Sequence, residues 1–269
     1  MGSLDGKVVF ITGAARAQGR SHALRVAQEG ADVIAVDLCA APLRLGYPPA
    51  SVADLDETAR LVENAGRRIV TAVADVRDQL ALDTALERGV GELGRLDVVI
   101  ANAGISSWGR FWELPDEVWL TTIEINLTGV WRTFRAAAPR LIEQGDGGSL
   151  IAISSVAGIK ALPGQAHYTA AKHGLVGLVK AAAIELGPYG IRVNSVHPWG
   201  VDTPMAHDPA VDAILEAHPT YLGSFGSILS DPVLASPEDI SDAVVWLASD
   251  ASRRVTGVQL PVDMGATTV

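Results

Sequence analysis

Cysteine is nearly absent from this chain, since Cys39 is the only one in 269 residues. A single thiol excludes an internal disulfide framework and a multi-cysteine metal site, and we interpret it as a buried thiol. The six histidines show no paired ligand spacing such as His-x-x-x-His, so we expect no metal site. Any chemistry carried by the chain therefore need not involve a metal ion.

Positive charge is also scarce. Lys and Arg together number 21 against 31 Asp and Glu, which gives a formal net charge of −10 and a pI near 5.0. A surface that binds nucleic acid needs clustered Lys and Arg, and the sequence has no such cluster. We therefore expect a small-molecule partner and no nucleic acid.

Long apolar runs are missing as well. No uninterrupted run approaches the roughly 18 residues of a membrane span, and the chain opens with no basic-then-apolar signal segment. We expect no membrane insertion and a cytoplasmic location. The 48% of hydrophobic residues still suffice for a large core, and no Pro/Ser-rich linker divides the sequence, which predicts a single domain over 1–269.

What is present is a regular alternation of short apolar runs and longer Ala/Leu-rich stretches. Continuous apolar runs are typical of strands covered on both faces, and they occur at 8–11, 33–36, 69–73, 98–100, 150–153, 191–196 and 258–262. Stretches of helical length lie at 19–29, 55–64, 80–92, 117–144 and 168–186. This order predicts an α/β fold: a doubly wound, Rossmann-like parallel sheet with helices on both faces and ligands at the carboxyl ends of its strands.

Two segments interrupt the alternation. Residues 39–53 contain three prolines where a loop of about 2–6 residues is usual, so we interpret them as an insertion. Residues 203–234, rich in Pro and Gly, precede the last helix, whose start is marked by Ser236-Pro237. The second segment is typical of a loop with short helices that closes over a substrate.

A turn of small residues follows the first strand and leads directly into a helix. Small residues there let the backbone approach a pyrophosphate at the positive helix end, although such a turn can also be merely structural. The candidate cofactor-binding residues in it are Gly13, Arg16, Ala17, Gln18 and Gly19.

Asp37 ends the second strand, about 20 residues after the turn, as expected of an acid that binds ribose hydroxyls. Its alternative is a solvated loop acid. A carboxylate would repel the extra phosphate of NADP, and Leu38 offers no second cation, so NAD is favoured. Arg16 argues the other way, because its cation can pair with such a phosphate.

Tyr168 and Lys172 are four residues apart, which places their side chains on one face of a helix. A free phenol has a pKa near 10 and needs neighbouring positive charge to act as a base at neutral pH. Lys172 and an oxidised nicotinamide would both supply it, making Tyr168 a general base towards an alcohol or an acid towards a ketone. The alternative is an ordinary exposed Tyr/Lys pair.

Taken together, these motifs resemble the short-chain dehydrogenase/reductase family, in its order and over nearly the whole chain. The residues that carry the resemblance are Thr-Gly-x-x-x-Ala-x-Gly at 12–19, Asn102-Ala103-Gly104, Asn126, Ser155 and Tyr168-x-x-x-Lys172. Two positions depart from the family pattern. Ala17 stands where a second glycine is usual, and Trp199 stands where Pro-Gly is common.

The resemblance implies an enzyme that transfers a hydride between NAD(H) and a secondary alcohol or ketone. By resemblance Ser155 holds the substrate oxygen, Tyr168 moves the proton, and Asn126 anchors a water that links Lys172 to solvent. Further cofactor contacts implied by the resemblance, each with an ordinary turn residue as its alternative, are Asp75 and Val76 at the adenine, Asn102, Ala103 and Gly104 along the cleft, Pro198 and Val201, and Thr203 near the carboxamide.

A narrower resemblance is to the mycofactocin-associated, carveol-dehydrogenase-like branch. It is carried by residues 19–22, 35–39 with the insertion after them, 74–78, and 197–198 leading to 202–205. This implies a bulky, apolar, terpenoid-like alcohol, an NAD that is tightly bound and does not exchange, and a separate redox partner. The family resemblance also implies a homotetramer, paired through the helices around 117–144 and 168–186.

Two other functions remain as alternatives. A catalytically inactive nucleotide-binding regulator or scaffold would be expected to have lost Ser155, Tyr168 or Lys172, and all three are present. A sugar-nucleotide epimerase or dehydratase on the same fold would usually carry a longer C-terminal substrate domain. Aromatic residues in the loops suit either an apolar substrate pocket or a subunit interface; they are Trp108, Phe111, Trp112, Trp199, Tyr221 and Phe225.

Overall fold

Seven strands form one parallel sheet in the computed structural model, which describes residues 2–269. The strands are β1 (Val8–Thr12), β2 (Asp32–Asp37), β3 (Ile69–Val73), β4 (Val98–Ala101), β5 (Gly148–Ile153), β6 (Ile191–Pro198) and β7 (Gln259–Val262). Their spatial order is β3-β2-β1-β4-β5-β6-β7, and every neighbouring pair is parallel. The predicted doubly wound α/β fold is confirmed.

Eight α-helices cover the two faces of this sheet within residues 2–269. They are α1 (Ala17–Gln28), α2 (Val52–Asn64), α3 (Gln79–Leu93), α4 (Asp116–Ile123), α5 (Gly129–Gln144), α6 (Ala166–Leu186), α7 (Pro209–Ala217) and α8 (Pro237–Ala248). Alternate residues of β1 enter different cores: Phe10 packs in the cluster with α3 and α5, and Ile11 in the cluster with α1 and α8. Burial on both faces explains why the central strands, such as β1 and β4, are continuously apolar.

The strand order reverses between β1 and β4, which lie side by side although two strands separate them in sequence. At such a switch point the loops after the two strands diverge to opposite faces and leave a crevice at the carboxyl ends. The glycine turn after β1 and the Asn102-Ala103-Gly104 turn after β4 therefore flank one cleft.

Helix boundaries differ from the sequence prediction by one or two residues for α1, α3 and α6 and by more in two other places. The predicted helix 55–64 begins three residues earlier, at Val52, because Ser51 and Asp54 form a reciprocal capping box. The insertion predicted over 39–53 is accordingly a loop that ends at Ser51. The predicted helix 117–144 is divided by a π-helical turn, Glu124–Thr128, between α4 and α5.

The segment 203–234 contains α7 and a short 3-10 helix, Pro219–Ser224, as expected of a loop with short helices. It is anchored at both ends by a parallel bridge between Val201 and Ala235. Across residues 2–269, the helices include none with the length and apolar character needed to cross a membrane.

Candidate active site

The ends of β1 and β4 are tied together at the floor of the cleft. Thr12 Oγ1 accepts hydrogen bonds from the Asn102 and Ala103 backbone N–H groups, at 3.2 and 3.3 Å. The Asn102 amide donates to the backbone oxygens of Thr12 and Gly13, at 3.1 and 3.0 Å. Asn102 thus fixes the start of the glycine turn, and its side-chain NH₂ group is occupied by these two hydrogen bonds.

The glycine turn lies too close to its neighbours for larger residues. Gly13 has a φ of +68°, and a Cβ there would lie 2.7 Å from the Ala103 Cα. A Cβ on Gly19 would lie 1.9 Å from the Gly13 carbonyl oxygen. Ala17 has a φ of 49°, in the left-handed region that favours glycine. Ala17 therefore adopts the backbone conformation that a glycine would have in this turn, and its Cβ makes that conformation strained.

The N-terminus of α1 is open towards the cleft. Arg16 occupies the N-cap position without a capping side-chain hydrogen bond, and the first turn of α1 contains no acidic residue. The backbone N–H groups in the first turn of α1 therefore have no side-chain acceptor. They are available to an external acceptor, and this arrangement binds phosphate. The Gln18 amide oxygen is also buried without a partner among residues 2–269. The turn therefore fits the pyrophosphate of a dinucleotide.

A cavity of about 290 Å³ extends from this turn across the ends of β2 and β3. Asp37 lines it, with its carboxylate held by the backbone N–H groups of Ala15 and Cys39 at 3.0 and 2.9 Å. The other predicted residues that line this cavity are Gly13, Arg16, Leu38, Asp75, Val76, Ala103 and Gly104. A fixed carboxylate at this place fits the hydroxyl groups of an adenosine ribose.

Asp75 is less available than the sequence suggested. Its carboxylate accepts hydrogen bonds from Arg77 Nε at 2.9 Å and Nη2 at 2.6 Å. Burial would raise the pKa of Asp75, but these bonds and the charge of Arg77 lower it overall. The carboxylate therefore stays ionised and engaged with Arg77.

The insertion after Asp37 forms one wall of the same cavity. Leu43 and Leu45 pack against the core and line the cavity. Cys39 is only partly buried, which corrects the prediction of a buried thiol, and has a φ of 53°. Tyr47 links the insertion to the chain after β4: its hydroxyl donates to the Ser106 carbonyl at 3.2 Å and accepts from the Ser106 N–H at 3.1 Å.

A second cavity, of about 140 Å³, begins at the glycine turn and ends at the catalytic candidates. Its predicted lining residues are Gly13, Arg16, Ala17, Gln18, Gly19, Asn102, Ala103, Gly104, Asn126, Tyr168, Lys172 and Thr203. Tyr47 also lines it, which the sequence did not indicate. Pro198 and Val201 line a neighbouring cavity instead.

Tyr168 and Lys172 lie together on the first turns of α6, as their spacing predicted. Lys172 Nζ is 5.4 Å from the centre of the Tyr168 ring and donates to the Ile153 carbonyl at 2.8 Å. The Ser155 hydroxyl accepts a hydrogen bond from the Ala157 N–H at 3.1 Å. All three side chains therefore meet beyond the carboxyl end of β5.

Burial dominates the electrostatics of this pair. It raises the pKa of Tyr168 to about 12, and hydrogen bonding by Ser155 acts in the opposite direction. Burial also lowers the pKa of Lys172 to about 7, since the charged amine is removed from water. In the cofactor-free protein burial therefore opposes ionisation of the Tyr168 phenol, and added positive charge is needed for it to act as a base near neutral pH.

Asn126 lies in the π-helical turn and is fully buried. Its amide donates to the carbonyls of Ile105 and Thr122, both at 3.0 Å, and its oxygen accepts from the Ile105 N–H at 3.2 Å. Asn126 thus ties the π-helical turn to the chain after β4 and lines the same cavity as Lys172.

His197 holds the backbone of Ser155, a function that sequence reasoning missed. His197 Nδ1 lies 2.7 Å from the Ser155 carbonyl oxygen, and Nε2 lies 2.8 Å from Ser195 Oγ. A carbonyl can only accept, so Nδ1 carries the proton and Ser195 donates to Nε2. Burial lowers the pKa of His197 to about 4, which keeps the ring neutral at neutral pH. Its position at the end of β6 was the available signal.

A third cavity, of about 270 Å³, opens on the other side of Tyr168. Trp108, Trp199 and Phe225 form its aromatic wall, with ring centres 5.8 and 6.1 Å apart for the two pairs that include Phe225. The other three aromatic residues of these loops do not line this cavity. Phe111 and Trp112 are exposed and pack on each other, and Tyr221 stacks on His218.

Residues 2–269 contain no group of three or more His, Cys, Asp or Glu side chains placed to hold a metal ion. The polar groups that line the cleft include the backbone of the glycine turn, the Arg16 guanidinium, the Asp37 and Asp75 carboxylates, the Tyr168 phenol and the Lys172 amine. This set suits a dinucleotide and an alcohol.

Several known proteins are similar to this chain over nearly its whole length. Residues 13–267 match a family model described as enoyl-(acyl carrier protein) reductase. An uncharacterized NAD-dependent oxidoreductase of Mycobacterium tuberculosis is 53% identical over 268 residues, which cover 98% of this chain and 97% of the relative. A (−)-trans-carveol dehydrogenase of Rhodococcus erythropolis is 44% identical over 276 residues, covering 99% of both chains.

A solved structure adds a likeness in three dimensions. The short-chain dehydrogenase from Mycobacterium paratuberculosis bound to NAD superposes with a TM-score of 0.97, at 51% identity and with 100% of both chains covered. The family model and these relatives extend over nearly the whole sequence. The chain therefore belongs to the short-chain dehydrogenase/reductase family.

Proposed function

We propose that this chain acts as a single dehydrogenase domain that oxidises a secondary alcohol to a ketone with NAD as hydride acceptor. The observation that carries the proposal is the placement of Ser155, Tyr168 and Lys172 where a dinucleotide cleft and an apolar cavity meet. The NAD-dependent relative and the NAD-bound structure support the choice of cofactor. Asp37 favours NAD over NADP, because its fixed carboxylate would repel an added phosphate.

The side chains divide the reaction between them. Bound NAD would accept the hydride and place a positive charge beside the phenol. Ser155 donates a hydrogen bond that holds the alcohol oxygen, and Tyr168 takes the proton from that oxygen. Lys172 stabilises the phenolate by its charge, and His197 keeps the Ser155 backbone in place. In the reverse direction Tyr168 returns the proton to the ketone.

We further propose a bulky, largely apolar substrate of the terpenoid kind. The cavity beside Tyr168 is walled by three aromatic rings and by aliphatic side chains such as Leu162, Met205 and Val211. An apolar wall of this kind binds substrate carbon and leaves orientation to a few polar groups. The relative named as a carveol dehydrogenase supports this substrate class.

The direct test is a panel of alcohols of graded size and polarity, assayed with added NAD and separately with an artificial electron acceptor. We expect alicyclic secondary alcohols to give the highest kcat/KM. Turnover of none of the alcohols under either condition would contradict the proposed function and favour an inactive nucleotide-binding protein.

We also propose that NAD stays bound through many turnovers and is reoxidised by a separate redox partner. Three prolines restrict the insertion, so its ordering over the cofactor costs less conformational entropy. Leu43 and Leu45 line the adenosine cavity, and the partly buried Tyr47 ties the loop to Ser106. A cover fixed at its tip in this way would slow cofactor release.

Purification without added nucleotide, followed by extensive dialysis and mass spectrometry of the denatured protein, tests this retention. We expect close to one NAD per chain in the wild type and at least a tenfold faster loss in Tyr47→Ala, since the tip of the cover is then released. Tyr189→Ala, at an exposed tyrosine, is the matched control and should retain NAD. Nucleotide-free wild-type protein that oxidises alcohol with freely exchanging NAD would contradict retention.

A homotetramer remains our prediction for the assembly. Large apolar side chains are exposed on the helices that we expect to pair: Trp119 and Leu120 on α4, Trp131 on α5 and Ile184 on α6. Burial of such groups between subunits is favourable. Light scattering should report four chains for the wild type and smaller species for Trp131→Glu. Leu80→Glu, exposed on α3, should stay tetrameric, and a monomeric wild type at micromolar concentration would refute the prediction.

A further inference from the structure

The substrate cavity contains a polar pair that the proton transfer does not use. Ser106 and Gln165 both line the cavity, and the two residues are only 4% and 5% exposed. Burying an amide and a hydroxyl in an otherwise apolar pocket is costly unless they are hydrogen-bonded. The two groups satisfy each other in part, since Gln165 Nε2 donates to Ser106 Oγ at 2.6 Å.

One polar atom of this pair remains free. Gln165 Oε1 accepts no hydrogen bond from any residue in 2–269, and this oxygen is not fully buried. Since Gln165 lines the cavity, this oxygen is available to a molecule bound there. Turning the amide over would exchange its oxygen for its NH₂ group, so in either orientation a hydrogen-bonding atom faces the substrate.

The pair is held rigidly and lies close to the reacting group. Gln165 is the N-cap residue of α6, three residues before Tyr168, and residues at this spacing share a helix face. Ser106 is fixed from its other side by the two hydrogen bonds between its backbone and the Tyr47 hydroxyl. A rigid polar group with a free hydrogen-bonding atom is suited to discriminate between substrates. A substrate that lacks a matching atom leaves this group without a hydrogen bond, which costs binding free energy.

We propose that Gln165, supported by Ser106, is a specificity-determining residue that binds a second oxygen of the substrate. The inference rests on the proposed function and narrows its substrate class to alicyclic secondary alcohols with a further hydroxyl or carbonyl group on the ring. The carbinol hydrogen leaves as hydride to NAD and the hydroxyl proton passes to Tyr168, so the second oxygen is bound and is not oxidised.

The test compares cyclohexanol with the three cyclohexanediols that carry the second hydroxyl on the adjacent, the next or the opposite carbon. In the wild type we expect kcat/KM for at least one diol to exceed that for cyclohexanol by about tenfold, the effect of one good hydrogen bond. Gln165→Leu should bring this ratio close to one, and Ser106→Ala should lower it partly. Gln28→Leu, at an exposed glutamine of α1, should leave the ratio unchanged.

A wild-type enzyme that oxidises cyclohexanol but prefers none of the diols would overturn this inference and leave the proposed function intact. A preference that survives in Gln165→Leu would also overturn it. If no alcohol is oxidised, the proposed function fails first, and binding to NADH-loaded protein then decides the inference. Tighter binding of 2-hydroxycyclohexanone than of cyclohexanone, lost in Gln165→Leu, would support the polar pair, and equal or absent binding would refute it.

Discussion

Tyr168→Phe is expected to lower kcat by about a thousandfold, within the range that removal of a general acid or base produces. Phenylalanine keeps the partly buried ring and its contact with Lys172 but removes the hydroxyl that takes the alcohol proton. Binding of NAD should change by less than about threefold, because the cradle at Gly13 and Gly19 is untouched. Steady-state kinetics and NAD titration of the same preparation measure both quantities.

Tyr189→Phe is the matched control for this variant, since Tyr189 is half exposed and lies at the far end of α6. It should behave as the wild type in both assays. Turnover by Tyr168→Phe at a rate within tenfold of the wild type would remove Tyr168 from the proton-transfer step.

Lys172→Met should lower kcat by about a hundredfold to a thousandfold and at the same time stabilise the cofactor-free protein at neutral pH. The amine is buried, and its one hydrogen bond, to the Ile153 carbonyl, compensates only part of its lost hydration. Methionine fills a similar volume without a charge. The expected gain in the free energy of unfolding near pH 7 is about 1–2 kcal/mol.

The stability difference should depend on pH in a defined direction. The folded pKa of Lys172 is about 7, below the 10.5 of an unperturbed lysine. Between these values the unfolded chain binds more protons at this position, so wild-type stability gains a rising contribution as pH increases. The destabilising contribution is complete below the folded pKa. The advantage of Lys172→Met should therefore be largest near pH 6 and shrink by up to about 1.4 kcal/mol per pH unit above pH 7.

Urea unfolding of both proteins at about pH 6 and about pH 9 measures this change. Lys180→Met, at an exposed lysine of the same helix, should show neither the activity loss nor the pH-dependent difference. A Lys172→Met protein that is less stable than the wild type at pH 6, or whose advantage grows with pH, would contradict the account of a buried, uncompensated amine.

Local signals were sufficient to predict the fold. Each of the seven continuous apolar runs corresponds to a strand. Strands inside a parallel sheet are covered by helices on both faces, so their sequences are apolar without alternation. Helix starts were less accurate where a cap decided them. The Ser51 to Asp54 capping box was readable from the sequence, but the prolines before it favoured a longer loop. The π-helical turn at Asn126 has no comparable sequence signal.

The candidate site was predictable where the backbone fixes a side chain and not where a loop does. Asp37 ends a strand and Tyr168 lies in the first turn of a helix, so their positions follow from the fold. Tyr47 reaches Ser106 through a long loop whose path no periodicity encodes. The hydrogen bond between Gln165 and Ser106 joins residues 59 positions apart, and residue spacing in the sequence likewise could not predict it. Which loop aromatics face the cleft also depends on tertiary packing.

The most direct test of the account is to follow the hydrogen itself. Protein that has been loaded with NAD is mixed with an alicyclic secondary alcohol deuterated at the carbinol carbon, and the nucleotide is then released and examined by mass spectrometry. The account predicts one deuterium on the reduced nicotinamide of the wild type and none in Tyr168→Phe over the same interval. Alcohol oxidised to ketone by the wild type with no deuterium on the nicotinamide would contradict hydride transfer to NAD at this site.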